Sequence, residues 1–576
     1  MSPELLLQHF HRISESPDAI PRLRRFILDL AVRGKLVEQD PNDEPASELL
    51  KRIQKEKMRL VNNVKTSKNQ TLQITNLNDV PFDMPYQWEC IRLISIGKTQ
   101  TGTTPPSNSP ELFGDYIPFV KPADLTGNMI NYSGDGISEE GIKYSRLIQK
   151  NSVMMVCIGS SIGKVNINYR DVCCNQQINT LTPYTGNITN FIAISLKSTY
   201  FQNLVIANAG MGTLPILSKG KWETLPIPLP PLAEQHRIVA KVDELMALCD
   251  QLETAKNERE SRRSKLVASS LDRIVNSEGE EARDAAQFHL NYLQKLTANK
   301  DHIKLLRQSI LNLAVRGRLV EQDPNDEPAS ELLKRIQKEK MRLISENKIR
   351  KHINTIFGLI ENEDYNIPTN WKWCRLGNIC FIITDGTHYT PKYENSGVPF
   401  LSVKDVSGGY IDFANTRFIS EYEHRELCKR CKPEFGDILL TKVGTTGISV
   451  TVDINTEFSI FVSLALLKFS HININKYFLS LLINSPFVKQ QSAENTQGIG
   501  NKNLVLRLIN QFRIPLPPLQ EQHRIVAKVD ELMAICDKLE SQLTTSESDS
   551  RRLCEAVLRD VLNRGNLENK PFADAA

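Results

Sequence analysis

The sequence predicts an α+β protein whose two similar globular domains are carried on a pseudo-two-fold, antiparallel pair of long helices that form a coiled-coil spacer. Two observations predict this fold. Ile227–Glu253 and Ile514–Glu540 are identical at 24 of 27 positions. Each copy closes a segment, 81–225 or 364–513, in which short strand-like runs precede a helix-like run. Because such a long-period duplication fixes the architecture, it outweighs any local motif.

A helical segment opens each half of the chain, at residues 1–60 and again at 283–343. Leu30–Leu60 recurs as Leu313–Leu343 with one change in 31 positions, Lys35 to Arg318. The Asp- and Pro-rich run at 40–45 separates two helices. The second of these has acidic residues early and basic residues late, which matches the helix dipole. The predicted fold therefore contains extra, duplicated helical segments.

The two domains, 81–225 and 364–513, have diverged almost completely in sequence. They align only at landmarks, which are Pro85/Pro368, Trp88/Trp371, Gly102/Gly386, Pro118/Pro399, Asp124/Asp405 and Gly159/Gly444. The runs FIAISLKSTYFQNLVIANAG and INKYFLSLLINSPFVKQQ are predicted to form the helical part of each domain.

Long helices are predicted within the spacer segments 226–275 and 514–562, after a proline-stiffened extended run. Their apolar residues are spaced alternately four and three positions apart, which is the pattern of a heptad seam. Each apolar stripe therefore needs a packing partner. We expect that partner to be the other copy. The seam comprises Ile238, Val242, Leu245, Cys249 and Leu252 in the first copy and Ile525, Val529, Leu532, Cys536 and Leu539 in the second. Residues 276–300 are interpreted as the link between the halves.

Composition is that of a globular protein, with 40% hydrophobic and 24% charged residues in a chain of 576. The opening sequence MSPELLLQHFHRI lacks the pattern of a signal peptide. The eleven cysteines have no framework spacing, which suits a reducing compartment, so we expect a cytoplasmic protein. Net charge is +4 overall, +1 for 81–225 and +3 for 364–513, so charge alone does not indicate a nucleic-acid binder.

The duplicated architecture resembles the specificity subunit of a type I restriction–modification system over essentially the whole chain. The resemblance is carried by PLPPLxEQHRIVAKVDEL at 228–245 and 515–532, GTTP at 102–105, DYIPFVKPADL at 115–125 and VPFLSVKDV at 398–406. Trp88, Trp371, Gly159 and Gly444 add to it. Paired similar helices would place two similar readers symmetrically, and spaced DNA half-sites suit such a protein.

The resemblance implies two target-recognition domains, each reading one part of a bipartite, gapped and asymmetric double-stranded DNA site. It also implies two modification subunits that methylate adenine with S-adenosylmethionine and dock on the helices, together with restriction subunits that use ATP and Mg. No catalytic residue, metal site or bound cofactor is expected on this chain. The seam should set the gap between the half-sites.

DNA contacts are expected from polar loops beside the strands, where lysines can meet phosphates and Ser, Thr, Asn and Gln can reach base edges. Ordinary solvated loop polarity explains any single residue at least as well, so the loops as groups carry the prediction. The first domain contributes Thr103, Thr104, Lys121, Ser160, Ser161, Lys164 and Gln176. The second contributes Thr387, His388, Tyr389, Lys404, Lys442, Thr445, Thr446, Asn501 and Lys502.

Three further motifs are better explained by structure than by chemistry. Asp83-Met84-Pro85-Tyr86 resembles the D-P-P-Y motif of adenine methyltransferases, but a turn that opens the domain ahead of Trp88 explains it better. His424, Cys428 and Cys431 fall short of four metal ligands. His236 and His523 are duplicates at the helix starts, which favours capping or a subunit contact over catalysis. The sequence also has no glycine-rich phosphate loop.

Three alternatives remain open at this stage. A self-contained adenine methyltransferase would need a cofactor loop that the sequence lacks. A protein–protein scaffold displaying two modules on a coiled coil is compatible with the modest charge. A specificity subunit that works with modification subunits alone, without a restriction subunit, is the alternative that best fits the sequence.

Overall fold

The computed structural model describes residues 18–63, 80–127, 129–210, 214–349, 364–497 and 503–564. The opening sequence that was inspected for a signal peptide lies outside these residues. The described chain divides into two compact units, one within Met1–Arg259 and Ser546–Ala576 and the other within Glu260–Thr545. None of the described helices is long and apolar enough to cross a membrane.

The first unit begins with two helices and continues into an α+β domain that ends at a long helix. Its helices are α1 (Ala19–Val32), α2 (Ala46–Asn63), α3 (Leu93–Ile96), α4 (Thr189–Lys197), α5 (Thr199–Asn208), α6 (Lys219–Glu223) and α7 (Leu232–Asn276), whose residues from Glu260 onward belong to the second unit. Its strands are β1 (Glu89–Arg92), β2 (Gly97–Thr101), β3 (Phe113–Val120), β4 (Leu125–Thr126), β5 (Met129–Ile130), β6 (Gly136–Ile137), β7 (Ser152–Val156), β8 (Val165–Asn168), β9 (Cys173–Cys174), β10 (Ile178–Pro183) and β11 (Pro226–Leu229).

The second unit repeats this order of elements. Its helices are α8 (Gly279–Asn291), α9 (Leu293–Leu296), α10 (Lys300–Val315), α11 (Ala329–Ser345), α12 (Leu376–Ile379), α13 (Glu421–Cys428), α14 (Lys476–Asn484), α15 (Pro486–Glu494), α16 (Leu506–Ile509) and α17 (Leu519–Arg564), whose residues from Ser546 onward belong to the first unit. Its strands are β12 (Lys372–Arg375), β13 (Cys380–Asp385), β14 (Val398–Leu401), β15 (Arg417–Ile419), β16 (Ile438–Thr441), β17 (Ser449–Thr451), β18 (Ser459–Ile460), β19 (Leu464–Phe469), β20 (Thr496–Gln497), β21 (Asn503–Leu504) and β22 (Arg513–Leu516).

Both domains have the same sheet topology despite their divergent sequences. A four-stranded antiparallel sheet has the order β2-β10-β7-β8 in the first domain and β13-β19-β16-β17 in the second. A three-stranded sheet, β6-β3-β9 or β15-β14-β18, lies beside it and contains one parallel pair. The prediction of two similar α+β domains followed by long helices is therefore confirmed.

The proline run closes each domain as a strand. β11 pairs antiparallel with β1, from Glu89 opposite Leu229 to Arg92 opposite Pro226. β22 pairs with β12 in the same way. Proline lacks an N–H and is therefore confined to positions such as these short two-stranded ladders, where its missing donor costs little. The ladder joins the opening of each domain to the start of its long helix.

The helical run of each domain is interrupted by a serine. Ser198 separates α4 from α5, and Ser485 separates α14 from α15. Each serine hydroxyl accepts a hydrogen bond from the backbone N–H three residues later, which is the geometry of an N-cap. Pro486 occupies the first position of α15, where its missing N–H is not needed. The single helices that the apolar pattern predicted are therefore pairs.

Most of each heptad seam packs against the helical segment of its own unit. Ile238, Val242 and Cys249 pack with α1 and with Trp88 in one core cluster of the first unit, and Leu245 lies partly buried against it. In the second unit, Ile525, Val529 and Cys536 pack with α10 in the same way, with Leu532 and Leu539 partly buried. Leu252 is 41% exposed. The stripe is thus covered by the helical segment of the same unit, because that segment carries its own apolar face.

Ion pairs flank these duplicated helix contacts. Arg24 of α1 lies 2.6 Å from Asp250 and 2.9 Å from Glu253 of α7. Arg307 of α10 pairs with Asp537 at 2.6 Å and with Glu540 at 3.3 Å. Since the carboxylates of these pairs are 41–71% exposed, each pair contributes little to stability.

The single difference between the duplicated 31-residue blocks lies at the end of a long helix. In the first unit the Lys35 ammonium donates to the carbonyl of Leu562 at 2.6 Å. In the second unit the Arg318 guanidinium donates to the carbonyls of Val275 at 3.1 Å and Ser277 at 2.6 Å. A cation near a helix C-terminus satisfies its orphan carbonyls and interacts favourably with the helix dipole. The substitution therefore keeps the same role.

Residues 276–300 are not a simple link, because they form α8 and α9. This stretch is rich in Ala, Glu and Gln, which are good helix formers. His289 of α8 is buried and its Nδ1 lies 2.8 Å from the hydroxyl of Ser270 in α7. Leu296 packs on Val267 and Leu271 of α7. The link is thus a docked helical insertion.

A buried carboxylate connects three parts of each unit. Glu234, in the first turn of α7, accepts hydrogen bonds from the Trp88 indole at 2.8 Å and from the Gln39 amide at 2.6 Å. Glu521 does the same with Trp371 at 2.8 Å and Gln322 at 2.5 Å. Both glutamates are fully buried, and burial raises the pKa of each above the usual glutamate range, against the opposing effect of these hydrogen bonds.

Two neighbouring contacts complete this arrangement, which we call the glutamate clamp. Arg237 forms a two-point ion pair with Asp43, with closest atoms 2.7 Å apart, and Arg524 pairs with Asp326 identically. Gln235 donates to the carbonyl of Pro230 at 2.8 Å, as Gln522 does to Pro517 at 3.1 Å. The Glu-Gln-x-Arg run of the duplicated sequence is therefore explained residue by residue.

The Glu521→Gln variant tests the clamp. A glutamine has only one acceptor oxygen for two donors, so either Trp371 or Gln322 would face an N–H group. We expect a loss of about 1–3 kcal/mol in the free energy of unfolding, because a buried donor is left unsatisfied. Urea unfolding of the full chain measures it.

Glu531→Gln is the matched control, since Glu531 lies on the same helix and is 58% exposed beside Lys528. Its effect should stay within about 0.5 kcal/mol, as for most surface substitutions. Equal unfolding free energies for the two variants would contradict the role given to the clamp.

Candidate nucleic-acid interface

The polar loops of the first domain gather at one end of its sheets. β2 and β7 end there and β8 and β10 begin there, because these strands alternate in direction. Gly102 N–H donates to the carbonyl of Ile178, and Cys157 N–H donates to that of Gln177. β3 ends at the same place, since Asn175 N–H donates to Val120. We call residues 102–105, 121–124, 157–164 and 175–177 the first loop edge.

Every residue predicted to contact DNA in the first domain lies on this edge. The Thr104 hydroxyl donates to the Gln176 side chain at 2.6 Å, and both residues are exposed. Lys121 is exposed and pairs with Asp135. The other predicted residues, Thr103, Ser160, Ser161 and Lys164, are exposed or half-buried. The sheet thus brings together side chains that are up to 73 positions apart in the chain.

Two landmark residues of the sequence shape this edge. Gly159 has φ +95°, a conformation that glycine adopts readily, at the start of the loop between β7 and β8. Asp124 accepts a hydrogen bond from the Lys121 N–H at 2.8 Å, which closes the turn after β3. In the second domain Gly444 has φ +78°, and Asp405 accepts from the Ser402 N–H at 2.7 Å. These landmarks therefore set loop geometry.

The second domain has an equivalent second loop edge, which comprises residues 386–391, 402–405, 442–448 and 461–463. Thr387 N–H donates to the carbonyl of Ile460, Phe461 N–H to Leu401, and Lys442 N–H to Ser463. Thr387 is buried, while His388, Tyr389, Lys404 and Thr445 are exposed. The hydroxyl oxygens of Thr446 and Thr496 lie 3.1 Å apart. Asn501 and Lys502 lie outside the described residues.

A buried carboxylate organises the charges of the second loop edge. Asp385, at the end of β13, is 2% exposed. Its oxygens lie 3.0 Å from the Lys442 ammonium, 2.7 Å from the Arg430 guanidinium and 3.2 Å from the His388 ring. Arg430 and His388 remain more than half exposed. One carboxylate therefore holds a buried cation and presents a second cation to solvent.

Lys442 differs from its sequence interpretation. The sequence predicts a lysine able to meet a phosphate, but the Lys442 side chain is 6% exposed and ion-paired with Asp385. An ammonium in this position neutralises the buried carboxylate, since an unpaired buried charge is costly. Lys442 therefore supports the loop edge in the structure as it stands.

Sequence reasoning missed two exposed arginines beside these loops. Arg146 donates to the carbonyl of Thr101 at 2.8 Å, and Arg430 binds Asp385. The basic cluster Lys429-Arg430-Cys431-Lys432 was a usable signal, but it was interpreted through its cysteine. Arg146 stands alone and no signal in the sequence indicates it.

The candidates for other chemistry have structural explanations. The turn ahead of Trp88 is confirmed, because the Trp88 N–H donates to the Pro85 carbonyl and Pro85 packs on Gly34. His424 is buried with Nδ1 2.9 Å from the Ser459 hydroxyl, and burial raises the pKa of the Cys431 thiol to about 12. Within the described ranges, no group of three or more His, Cys, Asp or Glu residues could hold a metal ion.

Comparison with known proteins finds one family domain in each half of the chain. The sequence profile of the type I restriction modification DNA specificity domain matches residues 85–259 and 368–546, one copy for each domain with the start of its long helix. The chain belongs to this family of specificity subunits. Each copy of the family's domain thus carries one loop edge.

Individual relatives of this specificity-subunit chain are similar over nearly its full length. The type I restriction enzyme EcoEI specificity subunit of Escherichia coli is 30% identical over 94% of both chains. The EcoAI specificity subunit of Escherichia coli is 29% identical, again over 94% of both. The crystal structure of the HsdS subunit from Thermoanaerobacter tengcongensis aligns over 84% of this chain and 99% of that chain, with 18% identity and a TM-score of 0.41.

The burial of Lys442 gives a prediction for DNA binding by this specificity subunit. Removing the exposed charge in Lys164→Ala should lower the slope of log affinity against log salt by about 0.9, since each phosphate contact releases counterions. Lys442→Met should leave that slope unchanged, because its ammonium is paired within the protein. Affinity for the target duplex, measured across a salt series with the complex containing the modification subunit, distinguishes the two. A reduced slope of log affinity against log salt for Lys442→Met, without one for Lys164→Ala, would show that Lys442 meets a phosphate.

Proposed function

We propose that the first and second loop edges read the two halves of a bipartite, gapped and asymmetric double-stranded DNA site. One observation carries this proposal: identical sheet topologies present different side chains at equivalent loop edges. The first edge is rich in hydroxyl and amide groups such as Thr104 and Gln176. The second carries charged groups around Asp385. Different half-sites require different donors and acceptors at base edges.

The chain itself is the non-catalytic member of its system. Partner subunits of the restriction–modification complex supply catalysis. We infer that two modification subunits methylate adenine with S-adenosylmethionine and that restriction subunits, where present, use ATP and Mg. We also infer a cytoplasmic location, because the proposed partner is DNA and the eleven free cysteines, ten of them buried, suit reducing conditions.

Two equivalents of one modification subunit are proposed because the long helices have identical residues on exposed positions. Burial in the glutamate clamp accounts for Glu234, Gln235 and their copies. It does not account for the exposed, identical pairs His236/His523, Asp243/Asp530, Glu244/Glu531 and Ala247/Ala534. These positions are exposed, so burial in the core does not account for their identity, and we infer that a shared partner surface does. These residues form the proposed docking surface.

Exchange of residues 364–513 tests the division of labour between the domains. The chain is expressed with its modification subunit in cells, and methylated adenines are located by genome-wide methylome sequencing. We expect one gapped motif that depends on the chain, and replacing 364–513 by the corresponding domain of a relative should change only one half of it. The unaltered half is the internal control.

Two outcomes of the exchange would contradict the proposal. Loss of both half-sites in a folded complex would show that the domains do not read independently. Absence of any gapped motif, although the complex forms, would favour a scaffold function without DNA recognition.

The long helices are proposed to set the gap between the half-sites. Thr254 and Ala255 of α7 and Ser541 and Gln542 of α17 are exposed, so an insertion there avoids the buried seam. Seven extra residues in each helix add about 10 Å at 1.5 Å per residue, in nearly two full turns. We expect the methylated motif to keep both half-sites and lengthen its gap. An unchanged gap would show that the helices do not set the spacing.

A further inference from the structure

Two arginines outside the set of predicted DNA contacts occupy equivalent places in the two domains. Arg146 lies in the connection from β6 to β7, and Arg430 lies in the topologically equivalent connection from β15 to β16. Each reaches the last residue of the first strand of the four-stranded sheet, Thr101 or Asp385. The two connecting segments share no sequence similarity and differ in structure, since only the second contains the helix α13.

Both anchor points are fixed by the landmark glycine that follows them. A Cβ at Gly102 would lie 2.2 Å from the carbonyl oxygen of Asn175, and a Cβ at Gly386 would lie 1.9 Å from that of Ile460. Only glycine allows the backbone to approach so closely, so Thr101 and Asp385 are held at the loop edge by the same device. The two arginines are therefore positioned by the same part of the fold.

Each arginine uses part of its guanidinium for this anchor. Arg146 donates through Nη1 to the Thr101 carbonyl at 2.8 Å, and the adjacent Ser145 hydroxyl donates to the Thr103 carbonyl at 2.7 Å. Arg430 donates through Nη2 to Asp385 Oδ1 at 2.7 Å. A guanidinium carries five N–H donors in a planar fork, so a single anchor restricts its orientation and leaves donors for a ligand.

We propose that Arg146 and Arg430 are specificity-determining residues, each of which donates to the O6 and N7 acceptors of a guanine in the half-site read by its own domain. This inference rests on the proposed function and names residues for it. Arginine paired with the guanine edge is the commonest specific contact in the major groove. Both side chains are exposed beside the loops that carry the predicted contacts.

A guanine edge fits these arginines better than a phosphate does. Base recognition is favoured by a side chain whose geometry is restricted before binding, and the anchors on Thr101 and Asp385 restrict both arginines. A phosphate contact needs mainly charge. At the second edge Asp385 offsets one positive charge of Lys442 and Arg430, which weakens the site as an electrostatic anchor but leaves its directional donors intact.

Four single variants of the full chain test the proposal: Arg146→Ala, Arg146→Lys, Arg430→Ala and Arg430→Lys. Each is expressed with the modification subunit and examined by methylome sequencing and by binding to a set of single-base variants of the target. The half-site read by the second domain is the one that changes when residues 364–513 are exchanged. We expect each Arg430 variant to lose about tenfold or more of its preference at one G·C pair of that half-site. The Arg146 variants should lose preference at one G·C pair of the other half-site.

Two exposed arginines of the same domains are matched controls. The Arg170 guanidinium lies over the Tyr132 ring, 4.1 Å from its centroid. Arg170 follows the C-terminal end of β8, and the first loop edge lies at the opposite end of that strand. Arg425 lies in α13 and pairs with Glu421 at 3.2 Å. Arg170→Ala and Arg425→Ala should keep the motif at every position. Urea unfolding and assembly with the modification subunit verify that all variants fold.

The lysine variants distinguish base from phosphate contact, because lysine keeps the charge and loses the fixed fork. Wild-type base preference in Arg430→Lys, with Arg430→Ala weakened equally on all sequences and with a smaller salt slope, would identify a phosphate contact and overturn the proposal. Unchanged preference in both Ala variants would overturn it as well. A wild-type chain that directs no gapped motif would instead refute the proposed function, which separates the two failures.

Discussion

The rest of the structure depends on one buried carboxylate in each unit. Glu234 and Glu521 lie in the first turn of the long helices. Each accepts one hydrogen bond from the tryptophan at the start of the domain and one from a glutamine of the helical segment. The Arg237–Asp43 and Arg524–Asp326 pairs lie beside them. A buried charge of this kind is tolerated only when its hydrogen bonds are complete, so the three parts must meet in one geometry. The clamp thereby fixes the direction in which each domain leaves its helix.

This constraint explains the contrast between the duplicated and the divergent regions. The clamp needs particular side chains at both ends, and these fall in the near-identical blocks. The domains need only their topology, which a few landmarks secure: Gly102 and Gly386 allow close backbone approach, and Gly159 and Gly444 adopt positive φ. Between these points the loop edges are free to carry hydroxyl and amide groups in one domain and a charged cluster around Asp385 in the other. One framework therefore presents two different recognition surfaces.

The sequence predicted the duplicated plan because repetition and period are visible without coordinates. The two helical segments, the extended proline runs, the long helices and the grouping of polar loops could all be predicted, whereas the pairing of the proline runs as strands was not. The partner of the heptad seam was not, since the spacing of Ile238, Val242 and Cys249 defines an apolar stripe but not what covers it. Lys442 and Asp385 are 57 positions apart, so their burial as an ion pair could not be read from either residue. Arg146 and Arg430 depend in the same way on a register between distant strands.

The most direct test of this account is a cryo-EM structure of the chain with its modification subunits on the duplex that they methylate. The account predicts that residues 102–105, 157–164 and 175–177 face one half-site, and that residues 386–391 and 442–448 face the other, with both glutamate clamps intact. Duplex bound elsewhere on the chain, with both loop edges open to solvent, would contradict it.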